Sequence, residues 1–277
     1  GFPFTFCATM ISPVSTLLIA AQALVTISTA QAVGKFVHEA SFFTAAYDVN
    51  EERQAMLTIV LKDWQINGQV VKFPGPNKFT SRFFPLRELG KSTYTVDSRK
   101  GGHTGDSNGL DESIRDVLVI SGATDGYPLG PQDFTTIKYS TADTFTTTFG
   151  TEVLTFTREA YDLVPGDFVY KDPVAPHLDM KYHIRPDGLV GIQIECGKHR
   201  TIHEPFKLTP RHYTDSRRVR YAVEPVSRVT LDKFLRKARR VCPSKFSTPT
   251  ALSQVVFATE KTIFVPFEGS TLALTKD

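Results

Sequence analysis

Charge is missing from the start of this 277-residue chain: no Asp, Glu, Lys or Arg precedes Lys35. Tryptophan occurs once, and methionine and cysteine three times each. Three cysteines (Cys7, Cys196, Cys242) are too few for a disulfide framework. There is no N-glycosylation sequon, because Asn50, Asn67, Asn77 and Asn108 all lack Ser or Thr two residues on. Both absences weigh against a secreted glycoprotein and suit a reducing compartment, an organelle interior or a virion. The phosphate-loop, dinucleotide, zinc-protease and nucleophile-elbow motifs are all missing, as is any internal repeat of fixed period.

Apolar residues make up 41% and charged residues 22%, which excludes a disordered or low-complexity chain. Phenylalanine (21 residues) and a threonine-rich run over Thr141–Thr157 tilt the chain toward β structure.

The uncharged start has an apolar heart, Ile11–Ala32. About 20 apolar residues suffice to cross a bilayer as a helix. Ser, Thr, Gln22 and Gln31 dilute this stretch to the margin of spontaneous insertion. It reads first as a transmembrane anchor centred on Leu17, Leu18, Ile19 and Leu24. A transfer signal ending at the small-residue run STAQA is a second reading. A buried core helix, or an arm lying on a partner subunit, is a third. Gly1 in the place of Met suggests a removed targeting segment or a cut precursor.

Beyond Gly34 the punctuation is that of strands and turns. Ala55–Trp64 and Val70–Phe73 flank Asn67-Gly68, a hairpin signal. Met180–Ile184 and Leu189–Cys196 flank Pro186-Asp187-Gly188, where Pro sets φ and Gly permits a positive φ. Further strands are expected at Thr93–Val96, Val117–Ile120, Phe134–Tyr139, Thr144–Phe149, Glu152–Thr157, Val219–Val223, Gln254–Ala258 and Thr262–Phe267. Glu39–Ala46 is compatible with helix or strand. Asp97–Ser113, polar and Gly-rich, reads as an exposed loop. One helix is expected after an N-cap at Thr230, with Leu231, Phe234, Leu235, Ala238 and Val241 on one face, ending at Cys242-Pro243.

Charge is uneven. Residues 207–245 carry twelve Lys or Arg against three acids, a net of +9 in a chain whose total is +3. The candidate partner- or anion-binding residues are Arg217, Arg218, Arg220, Lys233, Arg236, Lys237, Arg239 and Arg240. Only Tyr213, Tyr221 and Phe234 interleave as aromatics, which is sparse for nucleic-acid stacking.

Candidate chemistry is thin. Cys196, His199, His203 and Glu204 have the ligand types of a zinc site, with Cys242 or His212 as a distant fourth ligand. On a strand, however, Cys196 and His199 face opposite sides. Asp106–Glu112 holds oxygen ligands without the spacing of a calcium loop, and reads as a solvated turn. His177-Leu178-Asp179 and Tyr182-His183 offer the groups of an acid–base pair, although isolated motifs of this kind are usually structural hydrogen bonding. FTAAY at Phe43–Tyr47 and GDSNG at Gly105–Gly109 resemble fragments of chymotrypsin-like proteases. Tyr47 stands where that chemistry needs a histidine base, so both read as chance matches. Val229–Pro243 resembles the end of a picornavirus capsid protein, over too short a stretch to assign a family.

The expectation is thus a mainly β chain: a sandwich or barrel-like β-rich domain over 35–277 with one amphipathic helix in its C-terminal half, preceded by an apolar N-terminal helix within 1–34. Its expected role is that of a non-enzymatic structural or accessory subunit of a multiprotein complex, single-pass in an organellar membrane. Partner subunits and membrane lipid are the expected contacts, with no cofactor, metal or catalytic residue. The alternatives are a capsid or coat protein cut from a viral polyprotein, contacting nucleic acid in a virion, and a metal-dependent hydrolytic enzyme using Cys196, His199 and His203.

Overall fold

The computed structural model describes residues 33–66, 69–71, 77–97, 110, 114, 130, 133–175, 177–197, 199–200, 203–212 and 219–277. The expected anchor, the strand at Val117–Ile120, the GDSNG fragment and, apart from Leu110, the Asp106–Glu112 turn lie outside these residues.

The protein is mainly β, and its strands close into two antiparallel barrels. The first uses β1 (Gly34–Glu39), β2 (Phe43–Val49), β3 (Gln54–Leu61), β7 (Phe84–Gly90), β8 (Thr93–Val96), β9 (Thr136–Tyr139), β10 (Thr144–Phe149) and β11 (Glu152–Glu159). β6 (Lys78–Thr80) adds to the outside of β3, and β4 (Trp64–Ile66) pairs with β5 (Gln69–Val71) as a separate hairpin. Pairing of β1 with β11 and of β2 with β3 completes the ring of eight strands.

The second barrel is built from β12 (Gly166–Lys171), β13 (Leu178–Ile184), β14 (Leu189–Cys196), β16 (Glu204–His212), β17 (Val219–Pro225), β18 (Gln254–Phe257), β19 (Thr262–Phe267) and β20 (Ser270–Lys276). It too is a ring of eight, closed by β12 on β20 and β13 on β14. β15 (His199–Arg200) extends β14. Helix α1 (Leu231–Val241) lies between β17 and β18. Closure removes the unpaired edges that an open sheet exposes.

Period-2 burial follows the sequence pattern closely. Every second residue of β3 and β14 is buried, as a strand with one face on a core requires. The inward side chains form two separate cores. Phe36, Tyr47, Phe145 and Phe156 anchor the first, with ring centroids 4.9–5.5 Å apart along this group. Phe168, Tyr182, Phe206 and Phe257 anchor the second. Tyr47 is fully buried, and its hydroxyl donates to the Phe134 carbonyl, so it serves the first core.

The Pro186-Asp187-Gly188 turn forms as its chemistry dictates. Gly188 has φ +80°, its N–H donates to the Arg185 carbonyl at 3.0 Å, and the Asp187 side chain accepts from the Leu189 N–H at 3.1 Å. Residues 39–46, compatible with either element by sequence, end β1 and begin β2 with a short turn between them. Among the described residues no helix is long and apolar enough to cross a membrane.

Candidate docking site on the second barrel

Helix α1 begins and ends where its sequence says. The Thr230 hydroxyl accepts from the Lys233 N–H at 3.3 Å, Asp232 occupies the first turn, and the Cys242 N–H closes on the Ala238 carbonyl at 2.8 Å. Phe234, Leu235 and Ala238 are buried in the second core, with Phe234 meeting the Phe206 ring at 5.6 Å. Leu231 and Val241 pack at its margin. This burial turns the opposite face outward. Asp232, Lys233, Arg236, Lys237 and Arg240 are exposed on it.

The structure brings together only part of the candidate basic set. Lys237 binds Glu204 at 2.5 Å, and Lys233 Nζ donates to the Arg228 carbonyl at 3.2 Å. Arg236 and Arg240, four residues apart, make no ion pair among the described residues. Arg239 is half-buried and spends its Nε–H on the Phe246 carbonyl at 2.5 Å. Arg220 faces the first barrel, where it binds Asp143 at 3.0 Å. Arg211 is held by Glu224 at 2.5 Å; the Thr209 hydroxyl, then Arg211, keep that carboxyl below its ordinary range. Lys245 is paired with Asp172 at 3.3 Å. Arg217 and Arg218 lie outside the described residues. Among the described residues, the exposed members of the candidate set with no ion pair are Arg236 and Arg240 on the outer face of α1 and Lys233 beside them.

Two features of the site left no local mark in the sequence. Glu204 points inward from β16 at 8% exposure, an unusual place for a carboxylate, and Lys237 compensates it. Cys196, the last residue of β14, is disulfide-bonded to Cys242, the C-cap of α1, with Cα atoms 5.6 Å apart. The cysteines are thus fewer than a framework needs, yet two of them do pair.

That bond also removes the thiolate from the Cys196–His199–His203 constellation. His203 instead lays its exposed ring over Gly191, within 2 Å of where a Cβ would stand. Among the described residues no group of three or more His, Cys, Asp or Glu could hold a metal ion. His183 and Lys181 both bind Asp167, at 2.5 and 2.9 Å, and hold its carboxyl below the ordinary range; this cluster lies on the outer wall of the barrel. His177 contacts the Asp172 carbonyl at 3.2 Å.

A polar groove of about 300 Å³ crosses β12, β13 and β14, lined by Lys171, Asp179, Lys181, Gln193, Glu195 and Asp277. Lysines and carboxylates mix on it, Lys171 opposite Asp179 and Asp179 opposite Glu195, so that two basic side chains stand among three acidic ones.

The chain matches no protein-family model and no curated protein.

Proposed function

We propose that this protein is a non-catalytic subunit of a multiprotein membrane assembly, anchored by its uncharged first 34 residues, whose second barrel docks an acidic surface of a partner subunit through α1. The observation that carries this reading is the outer face of α1, where Arg236 and Arg240 stand exposed with no ion pair among the described residues. A charged face with internal partners is a solvated surface. One without them keeps its field available to another molecule. The charge balance agrees: residues 160–277 hold nineteen basic and thirteen acidic side chains, whereas residues 1–159 hold thirteen and sixteen.

The test reverses that face. Lys233→Glu, Arg236→Glu and Arg240→Glu together leave every buried residue of α1 in place. The variant is expected to fold with unchanged circular dichroism, to remain in carbonate-washed membranes, and to run free of the large complex after mild detergent extraction. Co-migration of the variant with the complex would overturn the docking face. Recovery of closed particles containing RNA would favour the capsid reading, and release of the wild-type chain by carbonate would remove the anchor.

A further inference from the structure

Resting on the docking reading above, we propose that the Cys196–Cys242 disulfide gates that docking: the oxidised chain presents the basic face of α1 as a fixed array, and the reduced chain does not.

The helix is intrinsically weak. It has eleven residues, and helices of that length are marginal in water without tertiary support. Its outer face places like charges on neighbouring turns, Lys233 before Lys237 and Arg236 before Arg240, and such pairs destabilise a helix. The N-terminal turns are held down by Phe234, Leu235 and the Lys237–Glu204 pair. The C-terminal turn, which carries Arg240, is followed by chain without helix or strand until Gln254. Ala238, the Arg239 bond to the Phe246 carbonyl and the disulfide secure that end. The disulfide alone is covalent. It ties the helix end to a rigid element, because Cys196 is paired with Leu178 across β13 and β14.

Access links the two events. Cys242 is fully buried and Cys196 is 6% exposed, so a reductant reaches the sulfurs only when the end of α1 lifts. A dithiol reductant then attacks one Sγ as thiolate, breaks the Sγ–Sγ bond and forms a mixed disulfide. Its second thiolate closes on that bond. The reductant leaves as a cyclic disulfide, and each cysteine Sγ takes one proton. An anionic partner seated on Lys233, Arg236 and Arg240 holds the helix end closed against this attack. Oxidation and docking therefore stabilise the same state of α1, and each must favour the other by an equal factor.

The reciprocal measurement uses the full-length chain in detergent at low salt, with poly-L-glutamate as the acidic probe. Dithiothreitol is added, and reduction is followed by mass after thiol alkylation. Saturating probe is expected to slow appearance of the Cys196 and Cys242 adducts at least tenfold, and not to do so in the Lys233→Glu/Arg236→Glu/Arg240→Glu variant. The Cys196→Ala/Cys242→Ala variant, checked by circular dichroism, is expected to bind the probe at least tenfold more weakly than the oxidised wild type. A reduction rate indifferent to bound probe overturns the gate while leaving docking intact. Failure of the oxidised wild type to bind poly-L-glutamate overturns the docking reading as well.

Discussion

Glu51 lies in the turn between β2 and β3 of the first barrel, yet the hydroxyls that bind it belong to the second. Thr259 and Thr262 both donate to its Oε1, at 2.6 and 2.8 Å. Burial alone would raise this carboxyl, but the two hydroxyls, its own backbone and Lys261 outweigh that effect and hold it below its ordinary value of 4.5. A lowered pKa in the folded state means that the contribution is complete above the unfolded value and fades as pH falls through the folded one. The contact between the barrels should therefore weaken on acidification below about pH 4.5. Asp48 acts in the opposite sense, since burial raises its pKa and protonation relieves it. Comparing variants separates the two. Glu51→Gln should lower stability at pH 7 and flatten its decline in acid, measured as urea midpoints between pH 3 and pH 7. A wild-type acid slope retained in Glu51→Gln would assign the effect to other carboxyls.

Helix α1 is the element on which both the proposed docking site and its predictions rest. Removing the cap in Thr230→Ala should cost about 1 kcal/mol in urea unfolding. Removing the disulfide should cost more, because it closes a loop spanning 46 residues. Chain entropy puts such a loss at about 4 kcal/mol. This helix was legible in the sequence because its cap, apolar stripe and stop all lie within fourteen residues, Thr230–Pro243. The strands β8, β10, β14 and β19 were legible for the same reason, as β-prone residues bounded by turn residues. β16 was not. Pro205 and Pro210 interrupt it, and proline normally argues against a strand interior. β7 was hidden because its outer half, Arg87–Gly90, faces water and lacks an inward apolar residue. Ring closure was also invisible, since the contact of β1 with β11 and of β12 with β20 joins residues more than 100 positions apart. The candidate site divides in the same way. The basic face of α1 was readable from helical periodicity, whereas the pairing of Arg220 with Asp143, of Lys237 with Glu204 and of Cys196 with Cys242 is tertiary.

At the scale of the molecule, the problem is how two barrels with separate cores behave as one body. Arg158 is the strongest link. Its side chain is 1% exposed, and its guanidinium lies 4.4 Å from the Phe36 ring of the first barrel and 4.7 Å from the Phe264 ring of the second. It donates to the carbonyls of Val33 and Ala142 and to Asp143, so its charge is compensated within the first barrel while its face bears on the second. Asp143 also receives Arg220 from β17, and Tyr161, between the barrels, donates its N–H to the Phe257 carbonyl at 2.8 Å. Cations stacked on desolvated rings contribute up to about 2 kcal/mol, and losing one member of a buried charge network costs about 3–5 kcal/mol. Arg158→Met keeps an apolar body between the rings but strands the two carbonyls and leaves Asp143 to Arg220. It should lower the stability of the first barrel by about 3 kcal/mol while leaving the second core untouched. If this junction couples the barrels, the single calorimetric transition expected of the wild type should split in Arg158→Met. The earlier component should track the first barrel, with its buried Tyr47, and the later one the second, with the Cys196–Cys242 disulfide. Two transitions already present in the wild type would show that each barrel folds on its own core and that the junction only orients them.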